Sequence, residues 1–221
     1  GDVFLVMEYV EGASLRSHLH RLGRPLSLAQ GIAIVLQAAE ALNYMHMHQV
    51  VHRDIKPENI LLLTDLDTED SYRIKIIDFG IAKAPPLAVE PDTQMNTPRA
   101  MLLGTPQYMA PEQGAGTDGA SDKIDVYALA LVLFELVTGG PPFVAESDLK
   151  LLTLHRKVTP PTLREQLPDA PPAIVNLVER MLNKSPVNRP SMLEVMRQLR
   201  ILSSSSVGKR TELVRRRVFP T

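Results

Sequence analysis

Two short runs hold the side chains best suited to chemistry. His52-Arg53-Asp54-Ile55-Lys56-Pro57-Glu58-Asn59 places a carboxylate, an ammonium group and a carboxamide within six residues, and Asp78-Phe79-Gly80 adds a second carboxylate nineteen residues after Asn59. Hard oxygen donors such as Asn59 and Asp78 suit magnesium, which keeps several of its waters and needs few protein ligands. A lysine two residues from a carboxylate brings positive charge to a phosphate beside a proton acceptor. Either run alone also reads as a capped polar loop between a helix and a strand.

The elements around these runs follow from periodicity. Ser14 is a plausible N-cap for a helix through Leu22 that Gly23 ends, and a second helix follows Ser27. In that second helix Leu28, Ile32, Val35, Leu36, Ala39, Leu42 and Met45 form one apolar stripe at three- and four-residue steps. It leads directly to His52. Val3–Met7 reads as a buried strand, and Asn59–Leu63 and Tyr72–Ile77 read as two further strands. The stretch from Asp122 to Thr138 is apolar nearly all round and belongs in a core. Helices are expected near Ser147–Lys157, Pro172–Asn183 and Ser191–Leu202.

Composition narrows the class. The 221 residues carry 44% apolar and 22% charged side chains, ordinary for a chain that buries a core. A net charge of −1 argues against general nucleic-acid affinity, and with no cysteine there are no disulfides and no cysteine-ligated zinc. No apolar run nears the ~18 residues of a membrane helix, and no signal peptide is recognisable. His18, His20, His46 and His48 are spaced two apart in pairs, which points the members of each pair to different helix faces, so they make no natural chelate. Thr64–Ser71 is an acidic turn without the spacing or glycine of a calcium loop. Gly114-Ala115-Gly116-Thr117-Asp118-Gly119 fits a nucleotide-loop pattern, but no strand precedes it, so it reads as a connector.

With Ala110-Pro111-Glu112 downstream, the two chemical runs stand in the order found in protein kinases, and the chain resembles the eukaryotic-like serine/threonine protein kinases over residues 3–202. The resemblance implies an α+β, mostly helical fold: the kinase C-terminal lobe with a residual strand and hinge of the N-terminal lobe. It divides the chain into a partial kinase domain, 1–202, and a flexible basic tail, 203–221.

The resemblance also implies roles. Asp54 accepts or orients the proton of a substrate hydroxyl, Lys56 screens the transferring phosphate, and Asn59 and Asp78 hold magnesium. Lys56 accompanies serine/threonine specificity. Met7, Glu8, Val10 and Leu61 border the adenine of ATP, and Thr105 bonds Asp54 and Lys56. His52 packs beneath the magnesium motif, Asp125 bonds back to the catalytic-loop backbone, and Glu112 pairs with Arg189. Arg53 is placed to hold a phosphate on the proline-rich segment Ala84–Pro98, where Thr93 and Thr97 are candidates.

The expected activity is transfer of the ATP γ-phosphate to serine or threonine of a protein substrate in the cytoplasm. A non-catalytic binding module is the alternative. Kinases also need a glycine-rich loop and a strand lysine over the phosphates, yet no lysine precedes Lys56. The chain therefore reads as a large lobe without most of its small lobe, expected to have little or no activity by itself. Lys209, Arg210, Arg215, Arg216 and Arg217 against Glu212 make the tail basic. It reads as a solvated linker or as a segment drawn to anionic lipid.

Overall fold

The computed structural model describes residues 8–63, 72–78, 106–113 and 121–204. Strand β1 (Gly12–Ser14) runs straight into helix α1 (Leu15–Leu22), and helix α2 (Leu28–Met47) follows. Strands β2 (Ile60–Leu63) and β3 (Ile74–Ile76) come next, then helices α3 (Lys123–Thr138), α4 (Asp148–Lys157), α5 (Leu163–Gln166) and α6 (Pro172–Met181). A last helix, α7, occupies 192–204. Among the described residues the architecture is mostly helical with one small antiparallel sheet, in keeping with the α+β expectation.

Local chemistry sets the helix ends. The Ser14 hydroxyl accepts from the Ser17 N–H, and Gly23 closes α1 in the left-handed region at φ 63°. At α2, Ser27 and Gln30 cap each other reciprocally, which satisfies two backbone donors that a helix start leaves open. Gly139, at φ 89°, ends α3.

The sheet has the order β1-β2-β3, with Ala13 opposite Leu62 and Leu61 opposite Lys75. Ile60 and Leu62 point into the core, whereas Leu61 lies half-buried on the other face.

Helix α3 is the axis of the core. Every residue from Ile124 to Val137 is buried. Helix α2 crosses it closely at Gly31, where a Cβ would stand 2.6 Å from Val137 Cγ1. The apolar stripe anticipated for α2 is too narrow, because Ile34 and Ala38 are also fully buried. Packing against β3 as well as α3 gives α2 a second apolar face.

Two short elements escape the periodicity argument. β1 is three residues long and gains its identity only from pairing with β2. α5 has four residues, opened by a Thr162/Glu165 capping box. Helix α7 extends past the expected Leu202, and the Ser204 hydroxyl donates to the Arg200 carbonyl at 3.0 Å. The anticipated strand at Val3–Met7, the acidic turn, the proline-rich segment with Thr93 and Thr97, the 114–119 connector and the basic run after Val207 lie outside the described residues.

Candidate active site

The loop between α2 and β2 is fastened to α3 at its turning point. Arg53 takes a left-handed backbone, φ 66°, which a side chain with a Cβ rarely adopts unless its surroundings impose it. Asp125, on α3 and wholly buried, supplies that imposition. Its Oδ2 accepts the His52 backbone N–H at 2.9 Å, and its Oδ1 accepts that of Arg53 at 2.8 Å. The role expected of Asp125 is present.

His52 joins this loop to the end of β3. Its buried ring donates from Nε2 to the Ile77 carbonyl at 3.0 Å, while Nδ1 accepts the Asp54 N–H at 3.3 Å. The Ile77 N–H in turn donates to the Asn59 carbonyl at 3.0 Å. Asp78 follows immediately, exposed and in the left-handed region at φ 57°. The backbone that carries Asp78 is thus bonded to both ends of the loop that carries Asp54 and Asn59.

Within the loop three side chains converge. Lys56 Nζ lies 3.0 Å from Asp54 Oδ2, and Asn59 Nδ2 donates to the same oxygen at 3.1 Å and to the Asp54 carbonyl at 2.8 Å. These contacts turn the Asn59 carboxamide oxygen away from Asp54. Asp54 and Lys56 are mostly covered, with 16% and 18% of their side-chain surface exposed, so they meet solvent from one direction. An oxygen from a neutral amide and one from a carboxylate form a donor set that fits magnesium. The described residues hold no His/Cys/Asp/Glu cluster of three that could bind a metal unaided.

At the hinge, Glu8 reaches across to Lys75, Oε2 to Nζ 2.5 Å, and Val10 is half-buried. Leu61 lies on the sheet face opposite the core. Met7 and Thr105 fall outside the described residues.

The 106–113 segment is bonded on four sides. Gln113 Nε2 donates to the Arg53 carbonyl at 3.2 Å and Gln107 Nε2 to that of Phe143 at 2.7 Å. The third tie is a group that motif spacing does not reveal. Arg16, on α1, donates to Glu58 at 2.8 Å, to Glu135 of α3 at 2.5 Å and to the Tyr108 hydroxyl, which itself donates to Glu135. Burial, then the negative charge of Glu135, holds the Tyr108 hydroxyl protonated far above the usual phenol range. Its members are 27 to 119 residues apart, and no local pattern links them.

Glu112 and Arg189 form the expected pair, with carboxylate oxygens 2.6 and 2.8 Å from the two terminal nitrogens. Arg189 also donates to the carbonyls of Asn183, Lys123 and Lys184. All five of its N–H groups are therefore used.

This helical lobe sets a carboxylate, a lysine and a carboxamide on one loop, with a buried aspartate behind it. Comparison with known proteins gives the family. Residues 1–199 match the protein kinase domain. Serine/threonine-protein kinase PknB of Mycolicibacterium smegmatis is 36% identical over 194 residues, covering 88% of this chain and 29% of the relative. PknA of Mycobacterium tuberculosis is 43% identical over 186 residues, covering 84% and 39%. Serine/threonine-protein kinase pkn3 of Myxococcus xanthus is 37% identical over 199 residues, covering 89% and 35%. This chain belongs to the protein kinase domain family. It spans about a third of the length of these relatives.

Proposed function

We propose that these residues serve a serine/threonine protein kinase that moves the γ-phosphate of ATP to serine or threonine hydroxyls of proteins in the cytoplasm. The observation that carries the reading is the meeting of Lys56 and Asn59 on one oxygen of Asp54, beside the backbone of Asp78. Phosphoryl transfer asks a protein chiefly for positioning and charge compensation, and this cluster supplies both. Asp54 orients the acceptor hydroxyl and takes its proton. Lys56 holds positive charge against the moving phosphate, and its presence goes with serine/threonine specificity. Asn59 and Asp78 hold magnesium, which when bound neutralises charge on the phosphates. Glu8 and Val10 offer backbone groups to the adenine edge, with Met7 behind and Leu61 below, while Thr105 bonds Asp54 and Lys56.

Arg53 adds a regulatory reading. Its Nε is buried without a hydrogen-bond partner among the described residues. A phosphate on Thr93 or Thr97 is a natural acceptor for it. The alternative, a non-catalytic kinase-like module, leaves the Asp54–Lys56–Asn59 cluster without use.

The test is transfer of labelled phosphate with identification of the modified residues. Because no lysine precedes Lys56, the 221 residues by themselves are expected to show little or no activity, so they are assayed alone and joined to the small lobe of PknA. Phosphoserine or phosphothreonine is expected from the joined form, with phosphate between Ile81 and Leu103 in the active enzyme. Asp54→Asn should lower the rate by about 10²–10⁴-fold with the fold retained. No transfer by the joined form, or full activity in Asp54→Asn, sinks the reading.

A further inference from the structure

Between the 159–163 stretch and the end of α6 lies an apolar recess of about 370 Å³. Pro160, Pro161, Leu163, Val178 and Leu182 line it, and Lys184 completes the wall. We propose that this recess is a binding site for a small monocarboxylate with an apolar body. The body fills the recess, and the carboxylate pairs with the Lys184 ammonium, drawing it off the aromatic rings on which it rests.

Three observations converge on this site. First, Lys184 is a covered cation without a counter-charge. Its Nζ is buried and has no hydrogen-bond partner among the described residues. It rests 5.0 Å from the centroid of the Phe143 ring and 5.8 Å from that of Tyr127, contacts that hold a cation less firmly than a carboxylate does. Glu112, beside the same Tyr127 ring, has both oxygens on Arg189, and Glu179 at the mouth of the recess is exposed to solvent. Burial, then the Arg189 guanidinium, lowers the Lys184 pKa to about 8, the direction expected of an ammonium held away from water beside another cation. Second, another buried polar atom beside it lacks a partner. His155 Nε2 has none among the described residues, and its ring packs edge-on against the same Phe143 ring. In the tautomer whose Nδ1 accepts from the Tyr127 hydroxyl, Nε2 carries the proton, so both orphaned groups are donors. Buried polar atoms are nearly always satisfied, and two donors around one ring mark a place suited to an acceptor. Third, the recess is pre-formed and of the size of small-molecule sites. Leu163, Val178 and Leu182 are buried and form its floor, while Pro160 and Pro161 stiffen one wall. The lysine stem is the flexible part, long enough to turn its head towards a ligand.

Methyl NMR of the 221-residue chain tests the site with octanoate, and with octan-1-ol as the uncharged probe of the same length. Binding is read without any transfer assay, so the result is separate from the kinase reading. Octanoate should shift the methyl signals of Leu163, Val178 and Leu182 saturably and bind about tenfold more tightly than octan-1-ol. The Lys184 Hε signals, shielded by the Phe143 and Tyr127 rings, should move downfield with octanoate and stay in place with octan-1-ol. Lys184→Met, which keeps an apolar stem and loses the charge, should bring octanoate down to the affinity of octan-1-ol and leave octan-1-ol unchanged. If Lys184→Met does not fold, Lys184→Gln gives the same comparison. Three results overturn the proposal: no saturable shift at the three methyls, equal affinity for the two probes in the unmutated chain, or octanoate binding that survives loss of the ammonium.

Discussion

His155 lies behind the 106–113 segment as a buried base, and its charge state links pH to folding. Its Nδ1 sits 3.0 Å from the Tyr127 hydroxyl, its Nε2 has no side-chain partner among the described residues, and its ring packs edge-on against Phe143. Burial first, then the nearby Lys184 ammonium, lowers its pKa to about 4. Because the folded pKa lies below the unfolded value of 6.5, the unfolded chain binds a proton between those values that the folded chain refuses. The stabilising contribution is present above pH 6.5 and is lost as pH falls towards 4, with an upper limit on the order of 3 kcal/mol. Thermal melts of the 221-residue chain at pH 7.5 and 4.5 should show a drop that is smaller in His155→Gln, which keeps a polar group but has no proton to gain. Equal drops in the two proteins would show that His155 does not carry the acid sensitivity. Sequence spacing gave no hint of this role. Tyr127, Phe143, His155 and Lys184 come from separate elements, and only the packing brings them together.

At the scale of elements, the turn before α7 is locked to the 106–113 segment through Arg189. A guanidinium with all five donors spent on Glu112 and three carbonyls, stacked 4.8 Å over the Tyr127 ring, has no good substitute. Glu112→Ala should cost about 3–5 kcal/mol, because it leaves the buried guanidinium without its counter-charge. Arg189→Lys should lose a comparable amount, since one ammonium cannot reach a carboxylate and three carbonyls together. Urea unfolding of each variant measures the loss, and a change under about 1 kcal/mol in Arg189→Lys would reduce the site to simple charge pairing. The Glu112–Arg189 partnership was legible beforehand, because both residues sit in recognisable runs. The carbonyl cage was not, since a sequence does not say which peptide groups converge. The same contrast holds for whole elements. α1, α2 and α3 announced themselves by Ser14, Ser27, Gly23 and an unbroken apolar run. β1 and α5 are too short for any period, although Thr162 and Glu165 were a readable signal for the second.

Over the whole molecule, one buried helix serves as a shared mount for several parts, which are also tied directly by Gln113 to the Arg53 carbonyl and by Arg16 to Glu58. Asp125 near the start of α3 holds the catalytic loop, and Lys123 Nζ donates to the Arg189 carbonyl at 3.1 Å. Glu135 near its end holds Arg16 and Tyr108, and the Leu136 carbonyl accepts the Leu26 N–H at 2.8 Å. Asp125 and Glu135 are ten residues apart, about 15 Å along a helix, with rigidly packed side chains between them. If α3 acts as a stiff mount, losses at its two ends should add, because neither end repacks in response to the other. Losses within one node should not add, because its members share a partner. Double-mutant cycles read this directly in urea unfolding. Arg16→Met combined with Tyr108→Phe, both bonded to Glu135, should show a coupling of about 0.5–3 kcal/mol. Arg16→Met combined with Asp125→Asn should be additive within about 0.5 kcal/mol. Strong coupling in the second pair would mean that the catalytic loop and the 106–113 segment communicate, along α3 or through the Gln113–Arg53 and Arg16–Glu58 bonds, and the picture of two independent ends would fail.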